Sequence, residues 1–190
     1  IDAIAAELDG VLLVDEAYVD FATPGHDLIP LIERHDNLMI LRTLSKGYSL
    51  AGLRLGYGIG PRGLIAPIAG KTRDSYSVDA VADALGAAAL NDQAAARASW
   101  QAVREERARL TAALRERGFA VPGSEANFCL ARVPAPARQS AGALAQGLRE
   151  RGILVRHFDT PRLADCLRIT IGTPEQNDAL LQGLDALLSP

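Results

Sequence analysis

Two short, unbroken apolar runs constrain this chain more than any other feature. Val11-Leu12-Leu13-Val14 gives way at once to Asp15-Glu16, and Leu38-Met39-Ile40-Leu41 to Arg42-Thr43. Runs of this length are too short for buried helices, and their lack of alternation predicts strands covered on both faces of a parallel sheet. A third run, over residues 53–59, contains Gly56 and Gly58, which predict close approach by another group. The spacing predicts a short helix over residues 28–35, and strands alternating with helices indicate α/β architecture. Residues 1–8 read as the last turns of an amphipathic helix stopped at Gly10. They have neither the basic leader nor the cleavage site of a signal peptide, and with no initiating Met the chain is expected to start inside a domain.

From residue 78 the character changes. Ala-rich helices are predicted over residues 78–91 and 94–117, the second carrying Trp100, Val103, Leu110 and Leu114 at helical spacing and stopping at Gly118. Strands follow at 119–121, 127–133, 153–155 and 167–171, with helices at 140–151 and 173–188, a mixture expected of a smaller α+β domain. Two domains are therefore expected, residues 1–92 and 93–190. With 48% hydrophobic and 23% charged residues the composition is that of an ordinary globular protein rather than a disordered one. The net charge is −3 and the cations are interspersed with acids, which argues against a nucleic-acid partner. The longest apolar stretches fall far short of the roughly 18 residues of a membrane span. Cys129 and Cys166 lack a disulfide or zinc spacing, in keeping with a reducing cytoplasm, and the three histidines form no metal motif.

Two segments carry candidate chemistry. VDEAY at 14–18 puts acids and a tyrosine at the C-terminal end of a buried strand, the edge where open α/β sheets bind ligands. The block TLSKGYSLAGLRLGYGIG at 43–60 follows the next buried strand, so both should reach one rim. Singly each residue has a plainer reading: an acid ending a strand caps a helix or pairs with a cation, a loop lysine is solvated, Ser45 caps a turn, and Arg54 is a surface charge. A P-loop nucleotide site is a poor alternative. Gly70-Lys71-Thr72 could end such a loop, but the motif needs glycine where Ile65 stands, and it should precede the acidic strand.

In combination with EANF at 125–128 and CLRITIGTPEQN at 166–177, these segments resemble the histidinol-phosphate aminotransferase family, fold-type I pyridoxal-phosphate enzymes. The resemblance runs in order along essentially the whole chain. It implies the remainder of a mostly parallel large domain followed by a small α+β domain. It further implies pyridoxal 5'-phosphate as cofactor, with Lys46 as the catalytic residue that bonds it and moves the proton. Lys46 would need a neutral amine, hence a desolvated site with positive charge nearby such as Arg54. Asp15 would face the ring nitrogen, Tyr18 the ring oxygen, and Ser45 and Arg54 the phosphate. On the substrate side Arg168 would clamp the α-carboxylate and Arg156 the phosphate of histidinol phosphate, while Asn127 either supports the cofactor region or caps a strand. Glutamate and 2-oxoglutarate would be the other substrates, and the full-length protein a homodimer. Another class I or II aminotransferase, or a non-catalytic fragment of one, is the alternative. In this family the glycine-rich phosphate loop, an asparagine on the ring oxygen and a stacking aromatic precede the matched region. The chain alone is therefore expected to bind the cofactor weakly and to aggregate through exposed sheet edges.

Overall fold

The computed structural model describes residues 1–72, 78–134 and 139–189. Two compact units emerge, Ile1–Trp100 and Gln101–Pro190. The division falls within a long helix, whereas the sequence reading puts it at that helix's first residues.

In the first unit, β1 (Leu12–Asp15), β2 (Leu38–Thr43) and β3 (Gly56–Ile59) form a sheet in the order β1-β2-β3. β1 and β2 run parallel, with Asp15 opposite Leu41, and β3 returns antiparallel, with Gly56 opposite Thr43. Close approach at Gly56 is real: the Arg42 carbonyl oxygen lies 2.8 Å from where a β-carbon would stand. Expected burial of β1 on both faces is not found. Leu38 and Ile40 are fully buried, but Leu13 is 53% exposed. Side chains alternate across a strand, so the face bearing Leu13 is the one the described residues leave uncovered. The segment expected to be helical near residue 30 is a 3-10 turn, Ile29–Glu33, with Pro30 in its first turn.

Helix α1 (Asp2–Glu7) is tied to the start of β2 by Asn37, whose Nδ2 donates to the carbonyls of Ala5, Leu8 and Gly10 at 2.9, 3.1 and 3.1 Å. Helix α2 (Arg62–Lys71) is unannounced in the sequence because Pro67, a helix breaker by rule, lies inside it. Gly70 and Lys71 end this helix instead of opening one, which removes the nucleotide-loop alternative. Helix α3 (Ala80–Asn91) is capped by Asp79, which accepts from the amides of Val81 and Ala82. Helix α4 (Gln93–Glu116) follows, and Gly118 stops it at φ 86°.

The second unit holds β4 (Phe128–Arg132), β5 (Arg156–His157) and β6 (Cys166–Thr170) as an antiparallel sheet in the order β4-β6-β5. Helices α5 (Ala141–Glu150) and α6 (Pro174–Leu188) start at Ser140 and Thr173, both acting as side-chain caps. Leu110, Leu114, Phe119, Leu144, Leu167 and Leu184 belong to one buried cluster. The strand expected over 119–121 is a single bridge, Ala120 to Arg132. That expected over 153–155 begins only at Arg156, because Ile153 and Val155 pack against the core instead of joining the ladder.

Asn177, 1% exposed, knits this unit together. Its Oδ1 accepts from the Gly172 amide at 3.0 Å, and its Nδ2 donates to the Gly172 carbonyl at 3.1 Å and to Glu106 at 2.8 Å. An Asn177→Ala change leaves both Gly172 backbone groups without this partner, a loss of about 2–3 kcal/mol. Amide hydrogen exchange across β4 and β6 measures it; unaltered protection there would contradict this assignment.

Candidate active site

Parallel pairing of β1 and β2 brings their C-terminal ends to one edge of the sheet. Asp15 is the last residue of β1, and the chain leaves β2 at Thr43, shortly before Ser45 and Lys46. Asp15, Tyr18 and Lys46 therefore share a rim, and the Lys46 Nζ lies 5.9 Å from the centre of the Tyr18 ring. The Ala17 amide donates to Asp15 Oδ1 at 2.9 Å, which fixes the carboxylate in rotation. A cavity of about 430 Å³ opens beside Asp15, lined also by Arg42, Thr43, Gly56 and Tyr57.

The lysine loop is held by its own backbone. Leu44 donates its amide to Leu55, and Leu50 returns one to Leu44, at 3.1 and 3.0 Å. The Ser45 amide donates to Thr43 Oγ1 at 3.1 Å, and that of Ser49 to the Lys46 carbonyl at 3.2 Å. Ser49 and Arg54 both adopt left-handed backbone, at φ 57° and 55°. For residues with a β-carbon this costs about 1 kcal/mol or more each, and such strain concentrates at functional sites. The Arg54 guanidinium donates to the Ala51 carbonyl at 3.1 Å. Lys46 is exposed among the described residues, whereas the resemblance implies a desolvated site around it.

Behind the rim lies a charge cluster that the sequence reading does not single out. Arg42 donates to Glu16 Oε2 through Nε at 2.9 Å and Nη2 at 2.8 Å, and to Asp27 Oδ1 at 2.9 Å. The Glu16 side chain is only 5% exposed. A signal for this pair was available: with Asp15 opposite Leu41, the next residues along the parallel strands are Glu16 and Arg42. Asp20, in the 3-10 turn Val19–Phe21, is pushed up to about 6 by burial, with Arg42 pulling it down and Glu16 raising it further. Periodicity gives no hint of Asp20, whose burial depends on what folds over it.

In the second unit, Arg156 and Arg168 are directly opposite each other on β5 and β6. The Arg168 guanidinium stacks 3.9 Å from the centre of the Phe128 ring, and that of Arg156 lies 5.2 Å from Phe158. Like charges directly across a ladder weaken it. The Asn127 carbonyl accepts from the Ile171 amide at 2.9 Å, extending the β4–β6 pairing.

A profile of the family described as "Aminotransferase class I and II" matches residues 1–184. The chain is 49% identical over 185 residues to histidinol-phosphate aminotransferase 1 of Nostoc sp., covering 97% of this chain and 51% of that protein. It is 45% identical over 188 residues to histidinol-phosphate aminotransferase of Microcystis aeruginosa, covering 99% and 52%. It thus spans about half the length of the curated relatives it matches. Among solved structures, histidinol-phosphate aminotransferase from Sinorhizobium meliloti, in complex with pyridoxal-5'-phosphate, superposes with TM-score 0.84 at 28% identity over 98% of this chain and 52% of that one. The Clostridium acetobutylicum enzyme, at 24% identity and TM-score 0.86 over 98% and 56%, shares the fold.

Asp20 gives this site a pH signature. An acid whose pKa rises on folding, from 3.8 to about 6, binds its proton more tightly folded than unfolded, so stability falls as pH rises across that window. Asp20→Asn removes that slope. Its stability relative to the parent should improve by roughly 1 kcal/mol across the window, after discounting for solvent screening. Urea denaturation followed by Trp100 fluorescence reads the difference; a gap that does not change with pH would contradict the burial assigned to this carboxyl.

Proposed function

The chain belongs to the class I and II aminotransferases, and on that premise we propose that it is part of an enzyme exchanging an amino group between histidinol phosphate and 2-oxoglutarate, with pyridoxal 5'-phosphate as cofactor. The observation that carries the reading is the convergence of an amine, a phenol and a carboxylate at one sheet edge, from Lys46, Tyr18 and Asp15. That donor set, with Ser45 and Arg54 on the same loop, fits a phosphorylated pyridine aldehyde group by group. The cofactor, when bound, supplies an electron-accepting ring that stabilises negative charge at the substrate α-carbon.

This chain's residues do the rest. Lys46 would hold the cofactor through its ε-amine and would carry a proton to and from the substrate α-carbon as general base and acid. Asp15 has one oxygen engaged by the Ala17 amide, leaving Oδ2 to hold a protonated ring nitrogen. The Tyr18 hydroxyl binds the ring oxygen, and Ser45 and Arg54 bind the phosphate. Arg54 is aimed by its left-handed backbone, a strain that a loop with only a structural role would have little reason to hold. In the second unit Arg168 takes the α-carboxylate and Arg156, opposite it on the neighbouring strand, the substrate phosphate. Residues 1–92 are read as the cofactor side and 93–190 as the substrate side. A homodimer in the cytoplasm completes the proposal; Cys129 and Cys166 are both free thiols.

The chain's two lysines, Lys46 and Lys71, make the test direct. After incubation with pyridoxal phosphate, borohydride reduction and peptide mapping should find the label on Lys46, with Lys46→Ala losing it and Lys71 contributing little. Equal labelling of Lys71, or labelling that survives Lys46→Ala, would overturn the assignment.

A further inference from the structure

Gly47, the residue that follows Lys46, is gripped at two points. The Trp100 indole Nε1 donates to the Gly47 carbonyl at 2.7 Å, reaching from α4 to a residue far away in sequence. From the other side the Asp20 carboxylate rests against the Gly47 α-carbon, so closely that a β-carbon there would collide with it. Gly47 is buried while Lys46 beside it is exposed. The grip is itself braced: Tyr48 meets Trp100 edge-on with ring centres 5.5 Å apart, and the Gln93 amide nitrogen Nε2 donates to the Tyr48 hydroxyl at 3.1 Å.

Neither contact is explained by packing alone. A carboxyl desolvated enough to be pushed up to about 6 is an expensive group with which to fill space against a glycine. An indole nitrogen needs an acceptor when partly buried, but here the acceptor is the carbonyl next to the one side chain whose placement matters most. The segment running from β1 thereby touches the site at three points: Asp15 and Tyr18 at the rim, and Asp20 beneath the lysine loop. A single displacement of that segment would move the carboxylate, the phenol and the amine together.

We propose that Asp20 and Trp100 are positioning residues for Lys46, holding the adjoining Gly47 between a carboxylate at its α-carbon and an indole at its carbonyl so that the ε-amine is presented at the sheet rim beside Tyr18. The inference rests on the reading of Lys46 as the reactive amine. It concerns the presentation of that amine, which can be measured without cofactor.

The experiment is brief acetylation with acetic anhydride at mildly alkaline pH, followed by mass-spectrometric mapping of Lys46 against Lys71 as the internal reference. Trp100→Phe keeps the aromatic packing and removes the donor; Asp20→Ala removes the carboxylate, and Asp20→Asn keeps its shape. The Lys46 to Lys71 ratio should change about fivefold in Trp100→Phe, the population change expected when one hydrogen bond holding a conformer is lost, and should shift in the same direction in Asp20→Ala, which loses the contact with Gly47. Asp20→Asn should stay close to the parent. Ratios unchanged in both truncated variants, with circular dichroism like the parent's, would overturn the proposal. The parent protein offers a second measurement that needs no variant: the Trp100 indole proton should exchange slowly with solvent by NMR, and rapid exchange would equally overturn it. Reductive trapping of pyridoxal phosphate on the parent separates this outcome from the function. If labelling ratios respond but the cofactor traps elsewhere, the clamp stands and the assigned chemistry fails.

Discussion

The parallel register of β1 with β2 is the constraint on which the rest of the site depends. Leu12 to Asp15 pair with Leu38 to Leu41 without a slip, so the last residue of one strand and the loop after the other must emerge at the same edge. A slip of one residue would turn Asp15 to the opposite face, because side chains alternate along a strand. The rim would then lose its carboxylate. The fully buried side chains Leu38 and Ile40 fix which face of β2 meets the core and so anchor the strand against which β1 is paired. The core residues of β2 thus hold the register that the chemistry uses.

Ionic contacts reinforce this arrangement one residue further on. Glu16 and Arg42 extend the two strands and pair across them, and Asp27 adds a second carboxylate to the same guanidinium. Buried pairs of this kind give little net stability, but breaking one partner away is costly, so they favour a single register over its neighbours. Asp20 belongs to the same electrostatic neighbourhood, where Arg42 partly offsets the desolvation of its carboxyl. Its burial gains nothing for the core, and its contact with Gly47 gives it a place in the geometry of the lysine loop.

The second unit uses a different logic. Its sheet buries Cys129, Ala131, Leu167 and Ile169 on one face, and alternation sends Arg168 to the other, alongside Arg156. Phe128 supports the Arg168 guanidinium by stacking, which orders the side chain. The placement of both arginines follows from strand register, as the placement of Asp15 does.

Strong local signals survived the passage from sequence to structure. The apolar runs at 11–14 and 38–41 became β1 and β2, and the caps Asp79, Ser140 and Thr173 started their helices, because burial preference and capping act over a few residues. The motif around Lys46 was legible because its residues are contiguous. Helix α2 was hidden by Pro67, and the open face of β1 could not be foreseen, since an apolar run does not say what will cover it. Sequence by itself determined β1 and β2, the starts of α3, α5 and α6 to within two residues, and the identity of the candidate reactive groups. Only the tertiary structure decided that Trp100 reaches Gly47, that the half-buried Asp20 rests against the lysine loop and that Arg156 faces Arg168. Those contacts join residues distant along the chain, and their energy depends on register and desolvation, which no local pattern of residue types encodes.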